Sequence, residues 1–141
     1  MTTDQIELTA DGTTATLTKV TTPTGARIEV ESKDVTTRLD ALDCETLTWQ
    51  DESFYATLVD GEYEYRTVEP QPREPAAIQI SNEYTVVRFR VEADRSAVEL
   101  TAPKLGYGTR VDARAFAALT EKPKTFFSEL LRTPFGPDDH E

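Results

Sequence analysis

Hydrophobic and polar residues alternate along the start of the chain in four short stretches. Alternation with a period of two is typical of a β-strand with one buried face. The pattern therefore predicts strands at 6–10, 13–21, 26–32 and 35–39. Asp11-Gly12 separates the first two strands and predicts a type I′ hairpin turn, because both central positions of that turn need positive φ.

The spacing then changes to that of helices. Asp40 has the residue type of an N-cap, and it predicts a short helix at 41–47 that ends at Thr48. A second helix is predicted at 51–59, with Phe54, Tyr55, Leu58 and Val59 on one face. Gly61 is expected to supply the left-handed residue that ends this helix.

The second half of the chain repeats this order of elements. Strands are predicted at 77–81, 84–93, 97–101 and 107–111, followed by a helix at 113–119 with Asp112 as its cap. A last helix includes Pro123 in its first turn and runs through Arg132. Between the halves, 62–68 is predicted as a connecting strand, and Pro70, Pro72 and Pro75 as a stiff spacer.

The two halves also match residue by residue. When the chain is shifted by 72 positions, 37–59 falls on 109–131 without a gap, and identical residues include Thr37/Thr109, Arg38/Arg110, Asp40/Asp112 and Phe54/Phe126. We therefore predict an α+β protein, a tandem duplication of a unit of roughly 70 residues. Each unit, 1–70 and 71–141, has four mainly antiparallel strands and two short helices. The units are expected to pack as one globular body with an approximate two-fold axis.

The charge composition of the chain indicates the solvent in which the protein is expected to work. The chain has 26 Asp and Glu against 15 Lys and Arg, a net charge of −11, and its basic residues are mostly Arg. This composition resembles that of small acidic cytosolic proteins from salt-loving archaea, whose carboxylates hold hydration in concentrated salt. The resemblance matches no family motif; it implies a halophilic cytoplasm, in which the acidity reports the solvent and not a partner.

Charged residues are divided unevenly between the two halves, and this division indicates where a binding site is expected. Residues 1–70 carry 5 basic and 15 acidic side chains, whereas residues 71–141 carry 10 and 11. Arg88 and Arg90 are predicted on one strand face, and the matching Arg38 and Arg110 precede the two helix caps. These four arginines are candidate contacts to an anion, a nucleic-acid backbone or an acidic protein. The alternative is that each pairs with a carboxylate of the chain itself.

Few residues of the sequence have side chains suited to catalysis or to metal binding. His140 is the only histidine and lies near the end of the chain, and Cys44 is the only cysteine. Neither a zinc cluster nor a glycine-rich phosphate loop is present in the sequence. We expect no catalytic residue, metal or cofactor, and we expect Cys44, which aligns with Phe116, to be a packing residue, with a reactive thiol as the alternative.

Three functions of different classes remain. The first is a non-catalytic interaction or regulatory module of the cytoplasm that binds another protein, or a second copy of itself as a homodimer. The second is a nucleic-acid or anion-binding protein that uses the arginines of the second half. The third is an enzyme with carboxylate chemistry, suggested only by the abundance of acidic residues. No apolar stretch long enough to span a membrane occurs in the sequence.

Overall fold

The structure is a computed structural model that describes residues 5–23, 25–70, 78–81 and 85–132. Within those ranges the chain forms eight strands and four helices. The strands are β1 (Gln5–Ala10), β2 (Thr13–Thr22), β3 (Gly25–Ser32), β4 (Val35–Asp40), β5 (Ile78–Ser81), β6 (Val86–Val91), β7 (Ala97–Ala102) and β8 (Tyr107–Asp112). The helices are α1 (Ala41–Leu47), α2 (Glu52–Val59), α3 (Ala113–Leu119) and α4 (Lys124–Arg132).

The strands form two antiparallel sheets in which neighbours in sequence are neighbours in space. The first sheet has the order β1-β2-β3-β4 and the second has the order β5-β6-β7-β8. Asp11 and Gly12 join β1 to β2 with φ values of 51° and 79°, which confirms the predicted left-handed turn. Lys33 and Asp34 join β3 to β4 in the same way, with φ values of 54° and 67°. The α+β class is therefore confirmed.

The helix caps follow the prediction. The side chain of Asp40 accepts a hydrogen bond from the backbone N–H of Asp43 at 2.8 Å, and that of Asp112 accepts one from Ala115 at 2.9 Å. Each carboxylate satisfies a backbone donor that has no partner inside the helix. The end of α2 differs from the prediction: the left-handed residue is Asp60, with φ of 58°, and not Gly61. Asp adopts this conformation more readily than most residues, because its short side chain bonds locally.

The helices cross between the two halves. Helix α3 packs on β1, β2 and β3 of the first sheet, while α1 packs on β6 and β7 of the second sheet as well as on its own β3 and β4. Helix α2 contacts α3, and α1 contacts α4. Buried side chains from both sheets consequently form one hydrophobic cluster, in which Leu17, Cys44, Phe89 and Phe116 are each fully buried.

The segment that follows α2 lies along the outer edge of β8. Thr67 forms a β-bridge with Thr109, and the backbone N–H of Val68 donates to the carbonyl of Gly108 at 2.9 Å. The N–H of Arg110 donates in turn to the carbonyl of Arg66 at 3.0 Å. The predicted connecting strand at 62–68 is thus a short edge segment of the second sheet. Predictions for Pro72, Pro75, residue 77, residue 84 and His140 lie outside the described residues.

Candidate functional site

Arg88 and Arg90 lie on the outer face of the second sheet, opposite the helices. Val87 and Phe89 are fully buried in the core, so the alternation of β6 turns Arg88 and Arg90 away from it. The Nε of Arg88 donates to the side-chain oxygen of Gln79 on β5 at 3.1 Å. Arg90 forms an ion pair with Glu99 on β7.

Arg110 lies on the same face but is almost enclosed. Only 8% of its side chain is exposed. Its guanidinium donates to Glu92 at 3.2 Å, to the carbonyl oxygen of Glu64 at 3.1 Å and to the hydroxyl of Ser96 at 3.4 Å. These contacts tie β8 to the turn after β6 and to the segment after α2.

Arg66 completes the arrangement and joins two of these carboxylates. It pairs with Glu92, and its Nη1 lies 2.9 Å from a carboxylate oxygen of Glu99. Arg90, Glu99, Arg110 and Arg66 therefore form one row across β6, β7, β8 and the edge segment. We call this surface the arginine face and define it by Arg66, Arg88, Arg90, Glu92, Glu99 and Arg110.

The electrostatics of the arginine face fix its charge state. Burial alone would raise the pKa of Glu99, but hydrogen bonds from Arg66 and Arg90 outweigh that effect and hold the pKa below its ordinary value. A carboxylate that is held ionised in this way does not donate a proton near neutral pH. Glu99 therefore adds a negative charge to the arginine face near neutral pH.

Arg38 lies apart from this surface. It is on β4 of the first sheet, and its Nε lies 3.4 Å from a carboxylate oxygen of Glu29. Its side chain is 54% exposed, in contrast to that of Arg110. The structure therefore brings Arg88, Arg90 and Arg110 to one face and places Arg38 on the other sheet.

Three members of the arginine face, namely Arg66, Glu92 and Glu99, were not predicted from the sequence. Glu92 follows the strand pattern of β6 and reads as an outward polar residue, and Arg66 reads as one charge in a short segment. A signal for Arg66 was present: Tyr63 and Tyr65 alternate with Glu64 and Arg66, and alternation puts Arg66 on the polar side. The ion-pair partners of Arg66 could not be predicted, because Glu92 and Glu99 are far from it in the sequence.

Tyr63 anchors the edge segment from the opposite side. Its hydroxyl donates to the carbonyl of Arg110 at 2.6 Å and accepts from the N–H of Asp112 at 3.0 Å. Burial and the nearby Asp112 carboxylate raise the pKa of Tyr63 above its ordinary value, so the phenol stays protonated and can donate. The arginine face is thus held by buried contacts beneath it as well as by its own ion pairs.

A groove opens beside the same edge segment. It has a volume of about 490 Å³ and is lined by Thr48, Trp49, Tyr65, Thr67, Val68, Glu69, Gly106, Tyr107 and Gly108. The ring of Trp49 lies 6.2 Å from that of Tyr107 at an angle of 67°. Trp49 thus lies at a contact between the two halves.

Cys44 lies in the hydrophobic core and not on the arginine face. Cys44 is fully buried, and burial raises the pKa of its thiol well above the ordinary value. Among the described residues, no three His, Cys, Asp or Glu side chains are grouped so as to hold a metal ion. Nor does any described helix have the length and apolar character needed to cross a bilayer.

Comparison with known proteins adds no relative. No family model, no curated protein and no solved structure matches this chain.

Proposed function

We propose that the protein is a non-catalytic interaction module that binds an acidic protein partner through the arginine face. The observation that carries this proposal is the row of Arg90, Glu99, Arg110 and Arg66 across four adjacent segments. The arginine face has four arginines and two glutamates, although the whole chain has a net charge of −11. Three of the arginines pair with these glutamates, and Arg88 donates to Gln79. A cationic surface on an acidic protein favours a partner that presents carboxylates.

Preorganisation supports the proposal. Arg110 is enclosed by three acceptors, and Arg66 bridges two carboxylates, so these side chains are already ordered before a partner arrives. Ordering a flexible side chain at an interface costs about 0.5–1.5 kcal/mol, and here that cost is met in the free protein. Arginine is also among the residues that contribute most to binding at interfaces.

Affinity capture with matched variants tests this proposal. The protein carrying both Arg88→Gln and Arg90→Gln should lose the proteins that the unmodified chain retains in concentrated KCl. Arg38→Gln is the control, because Arg38 is an exposed arginine on the other sheet. Identical sets of captured proteins for all three would contradict a role for the arginine face.

Nucleic-acid or anion binding is the second candidate. Its support is that Arg88 and Arg90 occupy consecutive outward positions of β6, a spacing that can follow a row of phosphates. Filter binding to single- and double-stranded DNA and RNA at low salt decides it, with Arg88→Ala and Arg90→Ala as the variants. Binding that weakens steeply with salt and is lost in the variants supports this candidate. Absence of binding at the lowest salt at which the protein stays folded removes it.

We also infer that the chain is a tandem duplication with an approximate two-fold axis. The support is reciprocal packing: α1 lies on the second sheet and α3 on the first, while contacts between β3 and β5 correspond to those between β7 and β1. An experimentally determined structure tests it. Residues 37–59 should superpose on 109–131 together with the strands that precede them, and failure of that match would overturn the inference.

We also propose that the protein works in a cytoplasm that contains concentrated salt. The excess of carboxylates over basic groups, −10 in residues 1–70 alone, makes the folded state repel itself at low salt. Thermal unfolding in increasing KCl should therefore show a Tm that rises well beyond the range in which simple screening is complete. A Tm that is independent of KCl would contradict adaptation to concentrated salt.

A further inference from the structure

The groove beside the edge segment has walls of a distinctive kind. Three of its lining residues are aromatic, namely Trp49 just after α1, Tyr65 in the edge segment and Tyr107 at the start of β8. We call it the aromatic groove and define it by these three residues together with Glu69. Its volume of about 490 Å³ lies within the range of small-molecule sites.

The aromatic walls are fixed in position. Trp49 is only 8% exposed, and its ring meets that of Tyr107 edge to face, with centroids 6.2 Å apart. The hydroxyl of Tyr65 donates to the carbonyl of Gln50 at 2.8 Å, which holds the third ring. Edge-to-face packing is an arrangement that aromatic pairs prefer, so the contact between Trp49 and Tyr107 holds both rings in place beside the groove.

The charge of the aromatic groove points to a cation. Among the residues that the structure describes, Glu69 is the only charged side chain that lines it, and neither Lys nor Arg belongs to that described lining. A cation over the face of an aromatic ring is attracted by the ring quadrupole, most strongly by that of tryptophan. The surrounding chain, with a net charge of −11, adds to the attraction.

We propose that the aromatic groove binds a trimethylammonium group. Such a group is cationic, has an apolar surface that fits against rings and makes no strong hydrogen bonds. Aromatic walls with one carboxylate match those properties, whereas a compact hydrated ion would keep its water. The trimethylammonium group can belong to a small solute such as choline or to a trimethylated lysine side chain, and the two sources share this chemistry.

Trp49 makes the proposal directly measurable, because it is the only tryptophan in the chain. Its fluorescence should change saturably when tetramethylammonium or choline is added. The neutral isostere 3,3-dimethyl-1-butanol, which has the same shape as choline without the charge, should bind at least several-fold more weakly. Comparison of choline with a peptide that contains trimethyl-lysine distinguishes the two sources.

Three variants separate the contribution of the ring from that of the charge. Tyr107→Ala should weaken binding by about 2- to 30-fold, the range that a single cation–π contact covers, while Tyr107→Phe should retain it. Glu69→Gln should also weaken binding, and since Glu69 is exposed this variant should fold normally. Circular dichroism of every variant confirms folding before titration.

Three results would overturn the proposal. One is the absence of a saturable fluorescence change in the unmodified protein with tetramethylammonium, choline or the trimethyl-lysine peptide. Another is equal affinity for choline and its neutral isostere, which would indicate a site for apolar groups alone. The third is unchanged affinity in both Tyr107→Ala and Glu69→Gln, which would place the binding elsewhere.

Discussion

Gly108 lies against the backbone of the edge segment, so a larger residue at this position should displace that segment. A Cβ at this position would lie 2.4 Å from the carbonyl oxygen of Val68 and 2.8 Å from Cγ2 of Thr101. The first neighbour is backbone of the edge segment, which cannot rotate away as a side chain can. We therefore expect Gly108→Ala to push the edge segment off β8.

The loss of stability in Gly108→Ala follows from the hydrogen bonds that the substitution would break. The Val68–Gly108 and Arg110–Arg66 backbone hydrogen bonds, at 2.9 and 3.0 Å, hold the edge segment to β8. At about 1 kcal/mol each, with some added strain, their loss lowers the free energy of unfolding by about 2–3 kcal/mol. In a domain of this size that corresponds to a fall in Tm of about 8–12 °C, at about 4 °C per kcal/mol.

Thermal unfolding followed by circular dichroism at one fixed KCl concentration measures this effect. Gly61→Ala is the matched control, because no atom lies within 4 Å of a Cβ at Gly61. Its Tm should change by less than about 2 °C. Limited trypsin digestion gives a second readout, since cleavage after Arg66 should become faster when the edge segment is released. A Gly108→Ala protein as stable as the Gly61→Ala protein would refute the reasoning.

Three further predictions concern the caps, the pH dependence and the thiol. Asp112→Ala should lower the free energy of unfolding by about 1–2 kcal/mol and Asp112→Asn by less, as measured by urea denaturation; equal losses would contradict capping. Because the pKa of Glu99 is lowered on folding, its ionised form stabilises the protein above its ordinary pKa of 4.5, and this contribution is lost as the pH falls through the lower folded pKa. Glu99→Gln should therefore flatten the acid side of the Tm–pH profile, and an unchanged profile would count against the network. Cys44 should react with a thiol reagent only after denaturant is added, since it is fully buried; rapid reaction of the folded protein would argue for an accessible thiol.

The elements could be predicted because their signals are local. Alternation located the strands, and Asp40 and Asp112 marked helix starts because a carboxylate satisfies donors only three residues away. The end of α2 was predicted wrongly, since both Asp60 and Gly61 tolerate positive φ and the choice between them depends on local hydrogen bonds. Local chemistry thus gives the existence of an element more securely than its last residue.

The sequence indicated Arg88, Arg90 and Arg110 as candidates, but the packing and the ion-pair partners could not be predicted, because they depend on residues that are distant in sequence. A helical apolar face shows that α1 is buried but does not show that it is buried on the sheet of the other half. Arg66 meets Glu99, 33 residues away in sequence, only because the edge segment lies along β8. The aromatic groove requires the same placement, since Tyr65 and Tyr107 approach Trp49 from different segments.

The aromatic groove lies where the two halves differ, whereas the arginine face includes Arg110, which matches Arg38 of the first half. Under the proposed duplication, Asp40 and Asp112 correspond and both serve as caps, so the shared residues maintain the scaffold. Trp49, in contrast, aligns with Glu121, which has no aromatic ring to offer a groove. The edge segment joins the two surfaces, because Arg66 belongs to the arginine face and Tyr65 to the aromatic groove. Adjacent residues of an extended segment point to opposite sides, so displacement of this one segment, as in Gly108→Ala, should disturb both surfaces at once.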